Sequence, residues 1–197
     1  AGTTIEANAS VVTEAGGITL IADESIAQNA DVALVTEGGD IDVTAGTTIA
    51  VATGGAAISA GGNVTYTGEA DVIVGDINAS GADINSDGSI VVTSTTGSVT
   101  LNDTNADSIA LNTNGTGNIL VDAGTTIEAN ASVVTEAGGI TLIADESIAQ
   151  NTDVALITEG GDIAVTSGST IEVVTGGAAI SAGGNVTYTG EADVIVG

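Results

Sequence analysis

The chain has 197 residues, of which 26 are acidic and none is Lys, Arg or His, so its formal net charge is −26. Nucleic-acid binding requires Lys or Arg side chains to contact phosphate, and the chain has neither. Without His, it also cannot form Ser–His or Cys–His nucleophile pairs or His-ligated metal sites, so the composition excludes these functions. Hydrophobic residues make up 43%, with no Phe, Trp, Met, Cys or Pro. A core of Ala, Val, Ile and Leu suits a narrow, regular interior. No apolar run is long enough to span a bilayer, so we expect no membrane insertion.

Pairs of apolar residues separated by one residue recur along the whole chain, between Gly, Asn, Asp, Ser and Thr. Alternation with period two predicts strands, and the flanking residues predict turns. In chain order the pairs are Ile18/Leu20, Ile41/Val43, Ile49/Val51, Val64/Tyr66, Val72/Val74, Ile90/Val92, Val99/Leu101, Ile109/Leu111 and Ile119/Val121.

The spacing of these anchors predicts how the strands stack. Ile18, Ile41 and Val64 follow one another at a constant interval of 23, and the series from Ile26 to Val72 has the same step. Coils of three short strands would bring such residues into vertical register. The sequence therefore predicts an all-β protein, a parallel β-solenoid with about 18–23 residues per coil. The later coils are expected to be the shorter ones, since the interval from Ile90 to Ile109 is only 19.

A coil of two strands is the alternative for the same anchors. Ile18, Leu34, Ile49 and Val64 advance in steps of 16, 15 and 15, which fits two strands per coil. The segment 75–88 interrupts either rhythm and is expected to form a loop.

A long internal repeat organises the chain. Residues 1–75 match residues 123–197 at 68 of 75 positions, with an offset of 122. Residues 1–122 therefore form one full repeat of a continuous solenoid, and residues 123–197 form part of a second, without an independent domain boundary. None of the seven differences changes an anchor. Asp42/Ala164 and Ala50/Glu172 lie between anchors, where we expect side chains to face solvent.

Two acidic segments are candidate calcium ligands. Asp83, Asn85 and Asp87 lie in a D-x-N-x-D-G sequence, which resembles the first part of an EF-hand loop, although Ser94 stands where that loop ends in a bidentate acid. Asp103, Asn105 and Asp107 repeat part of the pattern at an offset of 20. The two segments are expected to lie one coil apart and to share Ca²⁺. Asx turns at solenoid corners explain the same residues, and both interpretations remain open.

Threonine and tyrosine give weaker signals. Thr-x-Thr occurs at Thr65/Thr67, Thr93/Thr95 and Thr187/Thr189. Ranks of this motif on a flat solenoid face would indicate ice binding, but three scattered instances predict no rank. Tyr66 and Tyr188 occupy the same position in the two copies and are interpreted as core fillers.

The GGDI-x-V-T-A-G-T-T-I and G-S-V-T-L-N segments resemble the repeats of filamentous-haemagglutinin-like bacterial surface proteins and other giant repetitive adhesins. The resemblance covers nearly the whole chain, but this sequence departs from those proteins in lacking basic and large aromatic residues. It implies a right-handed parallel β-helix located outside the cell or at its surface.

The function expected from the repetition and the resemblance together is a structural fibre or stalk. Its expected partners are copies of itself joined end to end, divalent cations, and cell-surface or matrix components. The alternative is a repetitive adhesin that binds through loops or through regions outside this segment. An enzyme is not expected. Two carboxylates suffice for a glycosidase, but duplicating most of such a site along a rod serves no catalytic purpose.

Overall fold

The computed structural model describes residues 2–59, 61–75, 77–78, 88–103, 107–181 and 183–197. These residues form 25 β-strands. All the strand pairs run parallel; the first is the pairing of Thr4–Ala7 with Ser25–Gln28. The described residues contain no helix, and therefore none able to cross a membrane.

The strands form three sheets, and every third strand along the chain belongs to the same sheet. Sheet A comprises β1 (Thr4–Ala7), β4 (Ser25–Gln28), β7 (Ile49–Val51), β10 (Val72–Gly75), β13 (Val99–Asn102), β16 (Thr126–Ala129), β19 (Ser147–Gln150), β22 (Ile171–Val173) and β25 (Val194–Val196). Sheet B comprises β2 (Val11–Thr13), β5 (Ala33–Thr36), β8 (Ala56–Ser59), β11 (Ile77–Asn78), β14 (Ile109–Thr113), β17 (Ser132–Thr135), β20 (Ala155–Thr158) and β23 (Ala178–Ser181). Sheet C comprises β3 (Ile18–Ala22), β6 (Ile41–Ala45), β9 (Val64–Gly68), β12 (Ile90–Ser94), β15 (Ile119–Ala123), β18 (Ile140–Ala144), β21 (Ile163–Ser167) and β24 (Val186–Gly190).

This strand order is that of a parallel β-solenoid with three strands per coil, as the constant spacing of the early anchors predicts. Ile18 pairs with Ile41 and Ile41 with Val64, which confirms the predicted register. The two-strand alternative is wrong, because Ile18, Leu34 and Ile49 lie in sheets C, B and A. Their near-equal spacing arises because they lie on every second strand, β3, β5 and β7, rather than in one vertical column.

The middle coils are longer than the sequence predicts. In sheet C, Ile90 pairs with Ile119, and in sheet A, Val99 pairs with Ile127. The expectation of shorter coils here is wrong because Ile109 lies in sheet B, where it pairs with Ser132 at a register shift. The extra residues lie between the strands, and the spacing of apolar residues does not reveal the length of these connections. Before these coils, Ile26, Ile49 and Val72 are paired in sheet A with the constant interval that the sequence predicts.

The 122-residue repeat corresponds to five coils. In sheet A the column runs through Ile5, Ile26, Ile49, Val72, Val99 and Ile127, which is five steps. Each described strand of the second copy therefore lies in the same sheet as its counterpart, five coils further along the axis. At about 4.8 Å per strand spacing, one repeat is about 24 Å long.

The core is one continuous apolar column along the axis. Most predicted anchors of the middle coils are buried; Val64, Val72, Ile90, Val92, Val99 and Leu101 are each 0% exposed. Leu20 and Ile109 are only partly buried. Ile109 departs from the pattern because the register shift after it moves the inward position to Ala110 and Leu111.

The differences between the two copies mostly fall outside the core. Asp42, Ala50 and Glu172 are exposed, as predicted, and Ala164 is partly buried. Ala45/Ser167 is a buried difference. The Ser167 hydroxyl donates to the carbonyl oxygen of Glu146 at 2.6 Å, so the core accepts this polar group without an unsatisfied hydrogen bond.

Candidate functional site

The candidate calcium ligands are only partly within the described residues. Asp83, Asn85, Asp87 and Asn105 lie outside them. Asp103 and Asp107 are described, and both are exposed at the connection between β13 and β14.

The Asp103 and Asp107 carboxylates accept hydrogen bonds from nearby backbone amides. Asp103 accepts from the amides of Asp107 at 3.2 Å and Ser108 at 3.0 Å. Asp107 accepts from the amide of Ile109 at 2.8 Å. Ser108 has a φ of 68°, in the left-handed region. These contacts match the Asx-turn interpretation of the segment, since they stabilise a tight corner.

The described strands that flank the two acidic segments belong to different pairs of sheets. The first lies between β11 of sheet B and β12 of sheet C, whereas the second lies between β13 of sheet A and β14 of sheet B. Because Asp83, Asn85, Asp87 and Asn105 lie outside the described residues, the expected stacking of the two segments one coil apart stays a prediction. Among the described residues, no three Asp, Glu, His or Cys side chains cluster closely enough to hold a metal ion.

A relay of side-chain oxygens follows the corner that precedes sheet C. Asp40 accepts from the amide of Asn63 at 2.7 Å, and the Asn63 side-chain oxygen accepts from the amide of Ser89 at 3.0 Å. The Ser89 hydroxyl accepts a hydrogen bond from the backbone amide of Asn118 at 3.1 Å. The Asn118 side-chain oxygen in turn accepts one from the backbone amide of Gly139 at 2.7 Å. Each polar corner residue thus satisfies an amide of the next coil.

Asparagine and threonine form two further columns. The Asn130 amide group donates to the Asn102 side-chain oxygen at 3.1 Å, and Asn151 donates to Asn130 at 2.5 Å. At the end of sheet B, Thr135 pairs with Thr158, and their buried hydroxyls donate to the carbonyls of Gly117 and Gly138 in the preceding coil. Stacked identical polar side chains of this kind hold parallel strands in register.

Glycine pairs at the same corner bring successive coils into close backbone contact. A Cβ atom on Gly39 would lie 2.5 Å from the carbonyl carbon and oxygen of Gly16, and one on Gly62 would overlap the Gly39 carbonyl. Gly38 has no neighbour within 4 Å of such an atom. In the Gly38–Gly39 pair, packing therefore requires only the second glycine, whereas in the Gly138–Gly139 pair a Cβ on the first glycine would overlap the Gly117 carbonyl.

A buried polar pair crosses the core, and the sequence did not reveal it. Tyr66 is 1% exposed, which confirms it as a core filler, and its hydroxyl donates to the Gln28 side-chain oxygen at 3.1 Å. The Gln28 amide donates to the carbonyls of Val32 and Ala56, both at 2.7 Å. Burial raises the pKa of the Tyr66 phenol well above its ordinary value. Gln150 and Tyr188 repeat the arrangement in the second copy.

Acidic side chains concentrate at the corners and repeat from coil to coil. The Glu159 amide donates to the Glu136 carbonyl at 2.6 Å, so the two exposed residues lie in adjacent coils. Hydrogen bonds from the backbone amide and the hydroxyl of Ser98 lower the pKa of the Asp71 carboxyl. Like charges about one strand spacing apart repel, and the repulsion accumulates along the rod.

The two ends of the described chain expose residues whose copies are buried in the interior. Val194 and Val196 are 42% and 64% exposed, whereas their counterparts Val72 and Val74 are 0% exposed. At the other end Val11 is 38% exposed, while Val133, its counterpart, is 0% exposed. In the interior a further coil covers each of these residues.

No family model matches the chain, and neither the curated proteins nor the solved structures contain a significant match.

Proposed function

We propose that this chain is a segment of a structural fibre or stalk, located outside the cell or at its surface, and that it has no catalytic role. The main observation in support of this proposal is that one 122-residue repeat spans a whole number of coils, namely five. A whole number of coils lets copies of the repeat continue the same three sheets indefinitely. The extracellular location is supported by the resemblance to repetitive bacterial surface proteins.

The proposed partner at each end is another copy of the same solenoid. The last strands, β23, β24 and β25, and the first strands, β1, β2 and β3, each have one unpaired edge. Unpaired parallel strands are templates for further pairing, and the apolar side chains between them gain burial when a coil is added. A join that pairs β25 with β1 would cover Val194 and Val196 with Ile5 and Ala7.

Divalent cations are the proposed counterions of this fibre. From β1 to β25 there are eight coil steps, or about 38 Å. The net charge of −26 therefore corresponds to roughly one charge per 1.5 Å, similar to the roughly 1.7 Å of duplex DNA. Calcium, bound by carboxylate oxygens at the corners, would relieve repulsion such as that between Glu136 and Glu159.

A repetitive adhesin is the second candidate, and the long middle connections favour it. In sheet B, Ile77 pairs with Ala57 on one side and with Leu111 on the other, and the chain between Ile77 and Leu111 is much the longer of the two. This additional chain occurs once per five coils, so a longer array would display it at about 24 Å intervals along one side. Such spacing suits multivalent contact with cell-surface or matrix components.

The end-to-end proposal is tested by electron microscopy and sedimentation of the purified 197-residue chain with Ca²⁺. Filaments one solenoid wide are expected, and Val196→Glu should prevent them by placing a charge in the joint. Ala50→Glu adds the same charge on an outward position that carries Glu172 in the second copy, and should leave filaments intact. Monomeric short rods at every concentration would overturn the end-to-end proposal. An intact chain that binds cell-surface glycans without forming filaments would favour the adhesin.

A further inference from the structure

Sheet C is the most regular face of the solenoid. Each of its seven strand pairings joins five residue pairs without a register shift. Its regularity persists through the long coil between Ile90 and Ile119, although sheet B has a shift near Ile109 and a two-residue strand at Ile77–Asn78. Among the described strands, the irregularities therefore lie in sheet B rather than in sheet C.

The outward side of sheet C is nearly free of charge. It presents two columns, one from the second and one from the fourth residue of each strand. Of the sixteen residues nine are Thr, five are aliphatic, and only Asp42 and Asp122 are acidic. The columns are Thr19, Asp42, Thr65, Val91, Leu120, Thr141, Ala164 and Thr187, and Ile21, Thr44, Thr67, Thr93, Asp122, Ile143, Thr166 and Thr189.

Threonines of this surface stack in register, which the sequence did not predict. Thr44 pairs with Thr67 and Thr67 with Thr93, and Thr166 pairs with Thr189 in the second copy. A search for Thr-x-Thr motifs misses this column, because Thr44 and Thr166 have no threonine two residues away on the same strand. Neighbours in a column are about 4.8 Å apart, and the two columns are about 6.6–6.8 Å apart.

The chemistry of this surface argues against the usual macromolecular partners. A second copy would bring another 26 negative charges alongside, which opposes lateral pairing of rods. Carbohydrate surfaces are usually bound by aromatic rings, but both tyrosines occupy inward positions of sheet C. The surface instead offers methyl groups and hydroxyls at fixed spacing, on β-branched side chains with few rotamers.

From this geometry we propose that the outward face of sheet C binds ice. A regular array of hydroxyls and methyl groups on side chains with few rotamers, repeating at about 4.8 Å along the rod, is close in spacing to the oxygen atoms of the ice lattice and can order water in an ice-like arrangement. The hydroxyls hydrogen-bond to that lattice, and the methyl groups exclude mobile water between them. Charges interrupt such an array by holding their own hydration, so Asp42 and Asp122 are its weak points.

The test is inhibition of ice recrystallisation, together with thermal hysteresis, by the purified 197-residue chain. Thr67→Glu should abolish most of the inhibition, because it places a charge at the centre of the Thr44–Thr67–Thr93 column. Ala50→Glu adds an identical charge on the outward face of sheet A and should retain the native activity. Asp42→Ala, which reproduces Ala164 of the second copy, should increase it.

Circular dichroism of each variant keeps the test decisive, since only folded variants are compared. A native chain without inhibition overturns the proposal, as does equal inhibition by Thr67→Glu and Ala50→Glu. If Thr67→Glu instead dissolves laterally paired rods seen by sedimentation, the surface binds a second copy and the ice proposal is wrong. Filament formation is tested separately with Val196→Glu, so a negative result for the fibre proposal does not contradict the ice-binding proposal, and the reverse also holds.

Discussion

The hydroxyl of Tyr66 in sheet C donates a 3.1 Å hydrogen bond across the core to the side-chain oxygen of Gln28 in sheet A. Gln28 in turn binds the carbonyls of Val32 and Ala56, so one buried amide connects residues of successive coils. A buried polar group that is fully hydrogen-bonded favours one register, because any other register leaves it unsatisfied. We therefore call the Tyr66–Gln28 pair a register lock, meaning that its hydrogen bonds fix the alignment of successive coils within an otherwise repetitive core.

The first prediction concerns this lock. Tyr66→Phe removes the donor to the buried Gln28 oxygen and should lower the free energy of unfolding by about 1–3 kcal/mol. Tyr188→Phe is the matched control. Tyr188 is only partly buried and its bond to Gln150 is 3.4 Å long, so the loss should be smaller. Urea unfolding followed by circular dichroism measures both. Equal losses would contradict the lock.

The second prediction follows from the raised pKa of the Tyr66 phenol. A phenol that ionises at higher pH when folded contributes stability below its unfolded pKa of about 10, and this contribution is lost as pH rises toward the folded pKa. The native chain should therefore lose stability above about pH 10, and Tyr66→Phe should lose less over the same range. Unfolding at stepped alkaline pH tests this, and parallel curves for the two proteins would refute it.

The third prediction concerns the glycine pairs at the corner before sheet C. Gly39→Ala should lower the free energy of unfolding by about 1–3 kcal/mol, because its Cβ would meet the Gly16 carbonyl. Gly38→Ala has open space around its Cβ and should be neutral or stabilising by up to about 1 kcal/mol. Thermal melts of the two variants provide the comparison. A destabilised Gly38→Ala would show that the corner geometry differs from the one described.

The fourth prediction concerns counterions. In low salt, Ca²⁺ should raise the melting temperature and lengthen filaments, because it neutralises acids that repeat from coil to coil, such as Glu136 and Glu159. A chelator should reverse both effects, whereas high concentrations of NaCl should partly replace Ca²⁺ by screening. If neither melting temperature nor filament length responds to chelation in low salt, the rod tolerates its charge without bound divalent ions.

Much of the strand layout was predictable from the sequence, because inward residues recur at a fixed spacing wherever the corners are short. The column from Ile18 to Val64 is an example. The middle coils were not predictable, since Ile109 has the spacing of a sheet C anchor yet lies beside a register shift in sheet B.

The contacts between side chains at the corners could not be predicted from the sequence, for a different reason. The bond between Asp40 and Asn63 joins residues 23 apart, and the bond between Ser89 and Asn118 joins residues 29 apart. Such partners become visible only once the length of each coil is known. Gln28 was missed because a lone polar residue at the end of a strand is ordinarily expected to face solvent.

The length of one repeat along the rod tests the central claim most directly. Small-angle X-ray scattering would compare the dispersed 197-residue chain with the same chain extended by one further 122-residue repeat. Five coils predict an increase in rod length of about 24 Å with an unchanged cross-section. An increase near 38 Å, as about eight two-strand coils would produce, or a growing cross-section would contradict the three-sheet solenoid and the fibre built from it.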